Sequence, residues 1–260
     1  MNTNVRLRDR TGFDKLGMRL LYGMFYPFFH CKADVPPEIQ AHDDPIVFVC
    51  NHYEIFGPLA LMTSLKARFR VWSNEQLIDA GDEVDKLVDG AVVMAPVFSK
   101  RVMEKLLHRV SPLVEWVFAK LKAIPVSRTE SAKMLHTMRK SVAAMEMGES
   151  LVIFPEKGEP HYALGSVSPF YPGFAMVGEF AARRFKMPVS FCPIHIDKYG
   201  RKLRFGEIVK YMPGNMKEEA QRVSDCLYDQ MVSLACAAGY PPVPAIETGE
   251  EQCLTKNTEE

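Results

Sequence analysis

Apolar positions along this chain fall into short runs that stop at polar or turn-forming residues. Ile46-Val47-Phe48-Val49-Cys50 is too short for a helix and rich in β-branched residues, so it predicts a buried strand. It ends at Asn51-His52. A few turn-like residues later, Gly57-Pro58 opens a predicted helix through Leu59, Ala60, Leu61, Met62 and Leu65, proline suiting a first helical turn. Further strands are predicted at 69–72, at 123–126 before Ser127-Arg128, at 151–154 before Pro155-Glu156-Lys157-Gly158, and at 189–196. Helical periodicity marks 98–121, 131–147 with Gly148 as its cap, 174–185 and 217–238. Residues 201–209 read as a strand or hairpin near a sheet edge. Strands alternating with helices predict an α/β fold, a mainly parallel sheet flanked by helices.

The stretches outside this alternation carry other patterns. Residues 16–29 are apolar and aromatic but interrupted by Arg19 and Pro27. They fall short of the roughly 20 residues a spanning helix needs. Two readings stand: a helix lying in a membrane interface, or a core helix with an aromatic face. Residues 32–45, with Pro36-Pro37 and Asp43-Asp44-Pro45, read as a connector. An acidic stretch with Glu75, Asp79, Asp82, Glu83, Asp85 and Asp89 reads as solvated surface. Lys100, Arg101, Lys105, Arg109, Lys120 and Lys122 follow, which suits either attraction to anionic headgroups or a plain solvated face. The tail is rich in Pro and Glu and predicted to be disordered. The expected division is 1–40 as an N-terminal helical segment, 41–240 as the α/β domain and 241–260 as an acidic tail.

Composition narrows the classes. The chain has 260 residues, 47% of them apolar, enough for one large domain with a buried core. Zero net charge argues against a nucleic-acid partner held by counterion release. Six cysteines are scattered without C-x-x-C or metal-ligand spacing, which predicts reduced thiols on the cytosolic side and no bound metal. The chain has no G-x-G-x-x-G, Walker loop or G-x-S-x-G elbow, so nucleotide binding and serine hydrolysis are poorly supported.

What stays is chemistry at strand ends. His52, Arg128 and Glu156 each follow a predicted strand. In an open α/β sheet, ligands bind beyond the carboxyl ends of the strands. A base, a cation and an acid are thus expected to share one crevice.

These residues resemble the glycerolipid acyltransferase family, which contains 1-acylglycerol-3-phosphate acyltransferase. The matching blocks are Asn51-His52, Ile124-Pro125-Val126-Ser127-Arg128, Phe154-Pro155-Glu156, and Met187-Pro188-Val189 leading to Pro193-Ile194. They occur in the family's order across about residues 45–200. The resemblance implies transfer of a fatty acyl group from acyl-CoA or acyl carrier protein to the hydroxyl of a lysophospholipid or related lipid acceptor. His52 would be the general base, Arg128 would hold the acceptor phosphate, and Glu156 would shape the acceptor site or position the loop after its strand. No cofactor beyond the donor thioester is implied. The N-terminal segment would dock on the cytoplasmic face of a membrane, making the protein peripheral or monotopic.

Two departures stand out. The family places an aspartate five residues after the histidine, where this chain has Gly57; Glu54, two residues on, is the candidate substitute. Lys157-Gly158-Glu159 stands where Gly-Thr-Arg is expected, so Lys157 would have to help Arg128 with a phosphate. The second reading is therefore a catalytically inactive family member that binds lipid or acyl chains.

Overall fold

The computed structural model describes residues 16–53, 56–65, 67–74, 123–126, 131–157 and 166–240. The helix expected at 98–121 and the acidic tail lie outside them, as do Glu54 and Arg128.

The strands are β1 (Lys32–Ala33), β2 (Val47–Cys50), β3 (Phe69–Asn74), β4 (Ile124–Val126), β5 (Ser150–Ile153), β6 (Val189–Asp197), β7 (Lys202–Phe205) and β8 (Val209–Tyr211). The helices are α1 (Leu16–Phe29), α2 (Pro37–Gln40), α3 (Phe56–Ser64), α4 (Ser131–Glu146), α5 (Met176–Phe185) and α6 (Met216–Ala237). The strands form one sheet in the order β1-β7-β6-β2-β5-β3-β4, with β8 also on β6. The run β6-β2-β5-β3-β4 is parallel, while β7 and β8 pair antiparallel with β6. The expected α/β class, mainly parallel and flanked by helices, is the observed one.

The central strands are buried along their whole length, as parallel strands covered on both faces must be. Alternation along β2 sends Val47 and Val49 to one face and Phe48 and Cys50 to the other. The first face packs under α4, α5 and α6, through Met138, Met145, Val177, Ala181, Leu227 and Met231. The second packs under α3, through Phe56, Ala60 and Leu61, with Phe29 of α1 beside it. Burying one such large side chain contributes about 1.5–3 kcal/mol, so the two faces fix the register of every central strand.

Local signals set the entries to the strands. Gly148 takes a left-handed φ of 75°, and Glu149 N–H donates to Ala144 O at 3.1 Å, closing α4 and turning the chain into β5. Before α5 the chain makes a 3-10 turn, Pro172–Ala175, so the regular helix begins two residues later than the expected 174. Asn215 caps α6 by accepting from Lys217 N–H at 3.3 Å.

The stretch 32–45 is a correction to the sequence reading. It holds β1, paired with β7 through Lys32↔Lys202, and the short helix α2. The sheet therefore begins inside residues 1–40, ahead of the boundary expected at 41. A two-residue strand leaves no periodicity to read, and Pro36-Pro37 masks the helix that Pro37 starts. The α1 helix lies on α3: Tyr22 donates its hydroxyl to Thr63 O at 3.2 Å, and Cys31 N–H donates to Ser64 Oγ at 2.8 Å.

Candidate active site

Register builds the site. Val47, Phe48 and Val49 stand opposite Leu151, Val152 and Ile153. Carried past the strand ends, the same register brings His52 level with Glu156 at the carboxyl edge of the sheet. The two do meet: the His52 main-chain N–H donates to Glu156 Oε2. The other carboxylate oxygen, Oε1, accepts from Ser168 N–H at 2.8 Å. Ser168 belongs to a segment that returns along 155–157, where Lys157 N–H donates to Pro169 O at 2.9 Å and Tyr171 N–H to Pro155 O at 3.0 Å.

On the other side β2 is held by Asn51. Its Oδ1 accepts from Ile196 N–H at 2.7 Å, and its Nδ2 donates to Ile196 O at 3.3 Å. Asn51 is buried, so both bonds replace ones that water would otherwise supply. The peptide carrying His52 is thus fastened to β6 through Asn51 and to β5 through Glu156. The imidazole, half-buried, meets the Phe154 ring edge-on at 5.3 Å between centroids.

Gly57 lies in the first turn of α3, and a Cβ there would meet Phe154 Cε1 at 3.2 Å. The position at which the resemblance expects an aspartate therefore lies against the same aromatic ring that His52 meets. A Cβ there would crowd the Phe154 ring and lie 3.6 Å from Ile196 Cδ1.

Glu156 is only 4% exposed, and burial pushes its pKa up to about 7, with the N–H groups of His52 and Ser168 acting in the opposite sense. Lys157, next in the chain, is exposed, with its Nζ 5.4 Å from the centroid of the Tyr171 ring. The carboxyl end of β4, before Arg128, reaches the same edge of the sheet two places beyond β5. The structure thus brings His52 and Glu156 together, sets Lys157 at the surface beside them, and leaves Glu54 and Arg128 outside the described residues.

Sequence reasoning missed two contributors, and a third polar group that holds the neighbouring strand. Asn51 was visible as half of the Asn-His pair but not as a fastening. Ser168 sits in a proline-rich loop with no signal of its own. Asp197, the last residue of β6, closes the neighbouring strand: its Oδ1 accepts from Gly200 N–H at 2.7 Å and from the Tyr240 hydroxyl at 2.8 Å. Burial raises its pKa, but these donors and the Arg204 guanidinium outweigh that and hold it below the ordinary carboxylate value. Among the described residues, no group of three His, Cys, Asp or Glu side chains is placed to hold a metal ion.

A second concavity lies at the opposite, amino edge. It is an open groove of about 750 Å³ whose lining includes Glu38, His42, Lys210 and Arg222. Two of these side chains have partners. Arg222 pairs with Glu219 and donates to Lys210 O at 2.7 Å, and His42 lies 2.9 Å from Ser190 Oγ.

No curated protein matches the chain. The crystal structure of a 1-acyl-sn-glycerophosphate acyltransferase from Thermotoga maritima aligns with it at a TM-score of 0.48 and 14% identity, over 86% of this chain and 85% of that one. The acyltransferase family model matches residues 32–197, from β1 to the end of β6 and well over half of the sequence, so the chain belongs to the acyltransferase family.

Proposed function

We propose that the protein transfers a fatty acyl group from acyl-CoA or acyl carrier protein to the hydroxyl of a lysophospholipid or related lipid acceptor, with His52 as general base. The observation that carries the reading is His52 itself. Within the matched acyltransferase region, it stands at the carboxyl edge of β2, fastened through its own main chain and its neighbour Asn51. Imidazole suits the task because its basicity lies near working pH. The acceptor oxygen attacks the thioester carbonyl carbon as its proton passes to His52. The tetrahedral intermediate then collapses, the C–S bond breaks, and His52 returns the proton to the leaving thiolate. No covalent enzyme intermediate is needed.

Arg128 holds the acceptor phosphate in this reading, with Lys157 contributing charge, because a fixed guanidinium suits a phosphate group. Glu54 is the acid that would orient the imidazole, since Gly57 has no side chain to do so. The membrane is met through α1 and the β6–β7 turn. Phe28 is 66% exposed, and Tyr26 and Tyr199 are exposed. Lys198 Nζ lies 5.6 Å from the Phe56 ring centroid and 5.8 Å from that of Tyr199, and Arg201 donates to Phe28 O. Aromatic and basic side chains together suit a peripheral or monotopic protein on an anionic, cytoplasmic leaflet. No described helix is long and apolar enough to cross a membrane.

The test is transfer by the purified protein from acyl-CoA or acyl carrier protein to a panel of lysolipids, beside His52→Ala and Glu54→Gln. Transfer that survives His52→Ala removes the mechanism. Loss with His52→Ala but not with Glu54→Gln removes Glu54 as the orienting acid. Lipid binding without transfer to any acceptor would favour the inactive lipid-binding reading, which the absent acid at Gly57 motivates.

A further inference from the structure

Both carboxylate oxygens of Glu156 are engaged by main chain: Oε2 by the N–H of His52 and Oε1 by the N–H of Ser168. His52 follows β2, Glu156 follows β5, and Ser168 lies on the returning segment, so one side chain joins three stretches of backbone beside the base. A carboxylate in this position is a poor ligand for a phosphate. It carries the wrong charge, it is only 4% exposed, and each of its oxygens already accepts from an amide proton. The expectation that Glu156 shapes the acceptor site therefore yields to its alternative, position-keeping, in a specific form.

We propose that Glu156 is a positioning residue for His52, a carboxylate clamp that fixes the main chain carrying the imidazole, and that it does not contact the acceptor. The inference rests on the reading of His52 as the base. Two N–H donors require an acceptor at each oxygen, which only the ionised carboxylate fully provides. Protonation turns one oxygen into a hydroxyl, and an amide in its place sets an NH2 group against one of the two donors. The surroundings leave this ionisation largely to Glu156. The titratable groups that face it are Cys50, His52 and Tyr53 from the β2 side and Tyr228 from α6, with the exposed Lys157 next in its own chain. Burial first, and then the charge of Glu156 among smaller causes, raises the pKa of Cys50, Tyr53 and Tyr228, so all three are neutral where the clamp titrates.

The test reads the clamp apart from catalysis. His52→Ala keeps the amide of residue 52 and removes the imidazole. In that variant, two-dimensional NMR of the full chain should show the amide protons of residue 52 and Ser168 shifting together through one transition near pH 7, the value to which Glu156 is raised. Adding Glu156→Gln should remove the transition at both. In the otherwise native chain, Glu156→Gln should lower kcat about 10- to 100-fold, with the KM for acceptor within about twofold, as expected when a hydrogen bond to a charged group that orients a catalyst is lost. Separate transitions, or none, at the two amides would overturn the clamp, as would a raised acceptor KM at unchanged kcat. If the native protein transfers nothing, the proposed function fails, and the amide titration still decides the clamp.

Discussion

The two edges of the parallel sheet differ in how they treat polar groups. At the amino edge, two polar groups lining the 750 Å³ groove have side-chain partners: Arg222 pairs with Glu219, and His42 lies 2.9 Å from Ser190 Oγ. At the carboxyl edge Asn51 and Glu156 are buried, although Lys157 next to Glu156 is exposed. Asn51 and Glu156 direct their side chains at backbone, and His52 beside them is half-buried. The lesson is that volume does not mark a site. A groove costs little to keep, whereas a buried carboxylate raised to about 7 is held against its own solvation and persists only where other contacts fix it.

Four measurements would break or sharpen this contrast. The largest effect is expected from His52→Ala, which should cut acyl transfer by about 10²- to 10⁴-fold, the range that a general base contributes. Next comes stability against pH. Glu156 has a folded pKa of about 7 against an ordinary 4.5. Between those values the native chain keeps the proton and the unfolded chain has lost it, so native stability falls as pH rises through that window. Urea unfolding on either side of the window should show Glu156→Gln abolishing a fall of roughly 3 kcal/mol. Third, Asn51→Ala should cost about 1–3 kcal/mol by leaving the Ile196 amide and carbonyl buried without partners, and it should slow transfer as well. Last, Arg222→Ala in the groove should leave transfer unchanged and cost at most about 1 kcal/mol, as exposed pairs do. A larger loss of activity there would reverse the contrast between the edges.

The sequence made the parallel core legible because strands buried on both faces read as mostly apolar runs. Val47–Cys50 shows this plainly and Ser150–Ile153 nearly so, whereas Val189–Asp197 is equally buried but carries Ser190, His195 and Asp197 among its apolar residues. The two-residue β1 left no period to read, and the β7–β8 edge announced itself only as a strand or hairpin. The site was legible as a set of strand ends. Its contacts were not, because the meeting of His52 and Glu156 depends on the pairing of β2 with β5, strands remote in sequence. The same holds for Ser168, whose contribution is a main-chain N–H that any residue except proline could supply. Gly57 was legible as a missing acid, and the structure adds that the Phe154 ring borders its place.

Asn51 and Glu156 also lengthen the sheet without lengthening its strands. Each supplies from a side chain the hydrogen bonds that a further backbone rung would have made, Asn51 from the end of β2 towards β6 and Glu156 from the end of β5 towards β2. Amide hydrogen exchange should therefore find a protected core that runs past Cys50 to the amide of His52, on a loop that would otherwise trade its protons freely with water.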